Sequence, residues 1–92
     1  DEEELEFKKI DDKNYLFEGK TLLNDVCRVI GVDTNTFDDV KGDADSVAGL
    51  FIELVGHIPK VESEITYNGF QLKIVSVDNR RIKQILITLP EE

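Results

Sequence analysis

The stretch from Ser46 to Leu89 leaves little freedom in how this chain folds. Val47, Leu50, Phe51, Leu54 and Val55 fall at i, i+3, i+4, i+7 and i+8, one apolar stripe along a helix. Asp45 or Ser46 stands where a side-chain oxygen can cap the first turn. Gly56 follows as the left-handed stop, and Pro59 prevents the helix from resuming. Gly49, inside the helix, costs about 1 kcal/mol of propensity relative to Ala. Close approach of the helix to a sheet or to another helix is the expected reason for it.

Strands follow the helix. Ile65 and Tyr67 point one way, and Asn68-Gly69 is the strongest short hairpin signal in the chain. Phe70, Leu72 and Ile74 alternate, then Val75 and Val77 switch face, which predicts a bulge or strong twist near Ile74. Asp78-Asn79-Arg80 turns the chain again. Ile82 through Leu89 is nearly continuous in apolar residues. Ile85, Ile87 and Leu89 share one face, with Ile82 and Leu86 on the other, so the strand is expected to be central and covered on both sides.

The first half is less emphatic. Leu5, Phe7 and Lys9 alternate with Glu6, Lys8 and Ile10, which suggests a strand with one face in the core. Asp11-Asp12-Lys13-Asn14 is a turn cluster. Tyr15 and Phe17 mark a second strand, so the two form a hairpin ending at Gly19. Thr21 is placed to cap a helix running through Ile30. Leu22, Val26, Val29 and Ile30 recur at helical spacing, with Leu23 and Cys27 alongside, and Gly31 supplies the C-terminal stop. Val32–Ala44 reads as a polar, acid-rich loop, and Asp1–Glu4 as a solvated linker remnant. The order is ββααβββ: an α+β domain, with two helices on one face of an antiparallel sheet. Val47, Leu50, Phe51, Leu54, Ile74, Ile85 and Ile87 are the expected core.

Charge narrows the partners. Twenty acids against eleven bases give a net charge of −9, which repels nucleic-acid phosphate and anionic lipid alike. No uninterrupted apolar run approaches the roughly 20 residues that a membrane span needs. The N-terminus has no secretory-signal pattern, so direct membrane insertion is not expected. The single cysteine, Cys27, has no partner for an internal disulfide. The chain lacks Met altogether, from which a start in the middle of a longer protein is expected.

No catalytic constellation is visible. His57 is the only histidine; it follows a helix C-terminus and reads as a capping residue. Cys27 lies in an amphipathic helix, and Arg28 points about 100° away from it, so a buried apolar filler is expected rather than a reactive thiol. The loop holding Asp33, Asn35, Asp38, Asp39, Asp43 and Asp45 fails as a calcium loop. Counted from Asp33, Phe37 occupies the fifth position, Asp38 replaces the turn glycine and Ala44 replaces the closing glutamate. Arg80-Arg81 could clamp a phosphate through guanidinium forks, or could simply be surface charge on a turn. G-x-G-x-x-G, P-loop and G-x-S-x-G signatures are all missing. The residues therefore indicate neither a catalytic nor a metal site, and leave any cofactor-binding residue unknown.

Four segments in order carry a resemblance. Ala48-Gly49-Leu50, Leu54-Val55-Gly56-His57-Ile58-Pro59, Asn68-Gly69-Phe70 and Asp78-Asn79-Arg80-Arg81-Ile82 resemble the transporter-associated domain of the CorC/HlyC family. These are hemolysin-related membrane proteins linked to magnesium and cobalt efflux. Tyr15, Gly19 and the Leu22–Ile30 helix fit as well, and Gly49, Gly56, Pro59 and Gly69 match as backbone devices. The resemblance implies that residues 5–90 form a module closing the cytoplasmic end of a cell-membrane protein, after a transmembrane domain and a pair of CBS domains. Those domains of the parent chain are the implied partners, and a homodimer is left open. It further implies a non-enzymatic regulatory or interaction role. The family fold is similar to an FAD-binding subdomain of flavoproteins, so a flavin- or nucleotide-binding domain is the alternative, and cation sensing through Asp33–Asp45 a weaker one. No cofactor is expected, because the acidic loop suits a flavin pyrophosphate poorly.

Overall fold

In the computed structural model, residues 7–56, 60–78 and 81–90 are described. The elements are β1 (Phe7–Lys9), β2 (Asn14–Glu18), α1 (Leu23–Ile30), α2 (Val47–Val55), β3 (Glu64–Tyr67), β4 (Phe70–Asp78) and β5 (Arg81–Thr88). All pairings are antiparallel, and the strands lie in the order β1-β2-β5-β4-β3. The predicted α+β order ββααβββ is therefore the observed one.

Strand alternation builds the core side of the sheet. Tyr15 and Phe17 of β2 face Ile87 and Ile85 of β5, which face Leu72 and Ile74 of β4. All six are buried. Onto them pack Leu23, Val26, Cys27 and Ile30 of α1 with Val47, Leu50 and Phe51 of α2. Leu54 is only half-buried, because the stripe of α2 runs toward the rim in its last turn.

The central position of β5 holds, but its covering does not. The row Lys8–Leu16–Leu86–Lys73–Glu64 crosses the opposite face of the sheet, and Leu16 and Leu86 in it are half-buried. The bulge predicted near Ile74 is present, and a second lies beside it. Ile74 pairs with Ile85, Ser76 with Gln84 and Val77 with Ile82, leaving Val75 and Lys83 unopposed. Each extra residue shifts the alternation by one. Ile82 thereby joins the core cluster with Ile85, rather than facing away with Leu86.

β1 is the other correction. Its three residues are all exposed, and Phe7 is 42% exposed. Among the described residues it is an edge strand, paired only with β2. Phe7 stacks on Phe17 at 5.8 Å between ring centroids yet stays largely exposed. The turn that follows was legible: the Asp11 carboxylate accepts the amides of Lys13 and Asn14 at 2.9 and 3.0 Å. The Lys13 amide, then the Asn14 side-chain amide, which donates to the same carboxylate at 2.9 Å, hold its pKa below the usual carboxylate value.

The two helices start together. Leu22 and Ser46 form an isolated antiparallel bridge. The Leu23 amide donates to the Asp45 carbonyl at 2.8 Å, and the Val47 amide donates to the Thr21 carbonyl at 2.9 Å. Thr21 thus serves α2 through its backbone and does not cap α1 with its hydroxyl; Leu22 is the N-cap, without a side-chain bond. Leu22 is 52% exposed as a result, and Leu23 takes the inward position. At α2 the expected cap is Ser46, whose hydroxyl accepts the Gly49 amide at 3.1 Å.

Both helices end as expected, on glycines with φ of 83° at Gly31 and 85° at Gly56. A β-carbon in that conformation is strained, which is why glycine stands there. Gly49 is different. A β-carbon there would lie 3.0 Å from the Ala44 β-carbon, so the close approach is to the segment entering the helix, not to a sheet or another helix.

Candidate functional site

The end of the molecule where β2, β5 and α2 meet is shaped by Gly19. Its amide donates to the Lys83 carbonyl at 2.9 Å, and its carbonyl accepts the Ala48 amide at 3.0 Å. A β-carbon on Gly19 would stand 2.3 Å from the Ile82 carbonyl oxygen and 3.1 Å from the Ala48 β-carbon. The bulge at Lys83 turns the β5 backbone toward this junction, and only a residue without a side chain lets the three elements close.

Beside that junction runs a groove of about 300 Å3. Ala48, Ile52 and Ile82 form its apolar floor with Gly19, and Lys20 and Arg81 stand at its rim. A second depression of about 240 Å3 shares Lys20, Arg81 and Ile82, and adds Glu18, Asp78 and Lys83. The Lys20 ammonium lies 3.6 Å from the Glu18 carboxylate, with its side chain 82% exposed. Arg81 and Lys83 make no ion pair among the described residues. Sequence reasoning singled out Arg81 but missed Lys20 and Lys83. They are remote in sequence, and only the β2–β5 register brings them together.

The start of α2 offers this groove no free backbone donors. The amides of Val47, Ala48 and Gly49 are taken by the Thr21 carbonyl, the Gly19 carbonyl and the Ser46 hydroxyl. An anion placed there would meet side chains alone, not the amide cradle that phosphate sites use at helix N-termini.

The other candidates are placed as follows. Cys27 is fully buried, as expected of an apolar filler. Burial, reinforced by the negative charges of Asp33 and Asp38, pushes its thiol pKa up, opposite to what a nucleophile needs. The acidic loop does not converge. Asp33 accepts the Asn35 amide at 2.9 Å in its own turn, and Asp38 pairs with Lys41 at 3.7 Å. Among the described residues, no group of three or more His, Cys, Asp or Glu is placed to hold a metal ion. His57, Pro59, Asn79 and Arg80 lie outside the described residues, as do the acidic run Asp1–Glu4 and Leu5.

Sequence reasoning passed over Phe37. It sits amid the acids yet is 2% exposed. Its ring lies 5.3 Å from that of Phe70 and 5.8 Å from that of Tyr67. A lone aromatic in a polar loop was the available signal. Phe37 pins the loop to the β3–β4 hairpin and so fixes a segment that reads as a polar, acid-rich loop.

Among the described residues no helix is long and apolar enough to cross a membrane. Comparison with known proteins identifies the lineage. A polyamine export protein of Salmonella typhimurium is 31% identical over 78 residues, covering 85% of this chain and 17% of that protein. A magnesium and cobalt efflux protein, CorC, of Buchnera aphidicola is 30% identical over 91 residues, covering 99% of this chain and 30% of that protein. The chain therefore spans less than a third of the length of these relatives. The transporter associated domain from a CBS domain protein of Porphyromonas gingivalis superposes with a TM-score of 0.85 at 36% identity, covering 92% of this chain and 98% of that one. The family model of the Transporter associated domain, CorC_HlyC, matches residues 8–91, and the chain belongs to that family.

Proposed function

We propose that this domain is a non-enzymatic regulatory module of an ion-transport protein, acting in cis through contacts with CBS and membrane domains of its parent chain at the cytoplasmic side. Family membership over nearly the whole chain carries this reading. It is supported by relatives that are export and efflux proteins several times longer than the matched segment. It is also supported by the character of the interior. The buried thiol is held protonated, and Phe37, Phe70 and Tyr67 pack against one another. The interior is used for packing, so influence on other domains must pass through the surface.

A module that works by contact acts as a coupling free energy between sites, typically about 1–3 kcal/mol, or roughly 5- to 150-fold in an affinity. Deleting residues 5–90 from the full-length parent is expected to leave a transporter that assembles but responds differently to nucleotide or transported ion. An unchanged response to both would replace regulation with a passive assembly role.

We also propose that the isolated domain binds no flavin. Its negative charge opposes a pyrophosphate, and the first amides of α2 are already bonded. Titration calorimetry with FAD at tens of micromolar is expected to be flat. Saturable heat would favour the flavin-binding alternative.

A further inference from the structure

We propose that the groove floored by Ala48, Ile52 and Ile82 receives an acidic polypeptide segment with an apolar anchor, supplied by another part of the parent protein. This rests on reading the domain as a contact module, and it names the surface and the chemistry of the partner.

The charge distribution points there. The chain carries twenty acids and eleven bases. Around the groove and its neighbouring depression the balance reverses: among the described residues, Lys20, Arg81 and Lys83 line it with Glu18 and Asp78. By contrast Asp33, Asp38, Asp39, Asp43 and Asp45 crowd the loop between the helices, where Lys41 is the one interspersed base. An acidic partner is steered away from the loop and toward the groove. The floor then selects among anions. Ala48 and Ile52 are half-buried beside the buried Ile82, a surface suited to an aliphatic side chain. Lys20 and Arg81 at the rim suit carboxylates flanking that side chain.

Phosphate ligands fit less well. The amides that would cradle a phosphate are bonded to Thr21, Gly19 and Ser46. A volume of about 300 Å3 is at the lower end for a small-molecule site and short of a dinucleotide.

The test titrates the 15N-labelled domain with the acetylated peptide EELLEE, with inorganic phosphate and ATP in parallel. The peptide is expected to shift the amides of Gly19, Lys20, Ala48, Ile52 and Ile82. The double variant Lys20→Glu with Arg81→Glu is expected to weaken it about tenfold or more, with the remaining spectrum preserved. Absence of peptide shifts at these amides overturns the proposal. Equal or larger shifts with phosphate or ATP also overturn it, in favour of a small-anion site. In the full-length parent, the double variant is expected to change the nucleotide or ion response in the same direction as deletion of residues 5–90. If the deletion changes the response and the double variant does not, the groove proposal falls and the contact reading stands. If the deletion is silent, the contact reading falls and takes the groove proposal with it.

Discussion

The α-carbon of Gly19 is pressed so closely against the Ile82 carbonyl that a β-carbon would stand 2.3 Å from that oxygen. The obstructing atom is backbone, held in a central strand, so it cannot swing aside. Gly19→Ala is expected to cost about 1–3 kcal/mol or more, as overpacking in a rigid site does. Gly31→Ala provides the contrast, since open space surrounds its missing β-carbon and only the left-handed backbone penalty of about 1–2 kcal/mol applies. Urea denaturation of the two variants checks the order; a Gly19→Ala protein as stable as the parent would refute the close packing.

Phe37 makes a prediction unusual for a loop residue. Phe37→Ala is expected to destabilise by about 3–5 kcal/mol, the range for a buried phenylalanine. Asp39→Ala, an exposed neighbour, is expected to stay within about 0.5 kcal/mol of the parent. Thermal unfolding of both variants would show whether the loop is anchored.

Ser46 tests the shared helix start. Ser46→Ala removes the acceptor of the Gly49 amide and is expected to cost about 1 kcal/mol. Its backbone bridge to Leu22 is untouched, so the loss should appear as a lower urea midpoint with no change in fold by circular dichroism.

Cys27 links stability to alkaline pH. Burial, and then Asp33 and Asp38, raise its pKa above the ordinary value of 9.0. The folded state therefore keeps its thiol proton longer than the unfolded state does. Stability is fully present below that ordinary value and is lost as pH rises through the folded pKa. Comparing urea midpoints of the parent and Cys27→Ala at about pH 7 and about pH 10 isolates the effect from other alkaline titrations. The gap between them should narrow at the higher pH. Native labelling by a thiol reagent should also be far slower than in the unfolded chain.

Much of this fold was legible because most signals were local. The stripe from Val47 to Phe51, the glycine stops at Gly31 and Gly56, the Asn68-Gly69 turn and the bulge after Ile74 each depend on a few neighbouring residues. The misreadings depend on distant ones. Ile82 changed face because Lys83 is unopposed by β4, a fact of pairing and not of composition. Leu22 is exposed because Ser46, remote in sequence, bridges it. Phe7 alternates as a core strand should, but it lies on the edge strand of the sheet. The groove was the least legible feature. Its cations come from the chain after β2 and from β5, and nothing in either stretch alone announces a site.

The paired starts of α1 and α2 have a consequence for motion. Fraying the first turn of α1 takes the Asp45 carbonyl's partner away, and unseating Thr21 strands the Val47 amide. Neither helix can loosen at its beginning without exposing a polar group of the other. The two should therefore exchange their amide hydrogens as one cooperative unit, although the acidic loop separates them in sequence. A disturbance delivered at the rim by Lys20, next to Thr21, would reach both helices at once. The domain would then respond to a pull at that end as a single lever, not as two independent rods.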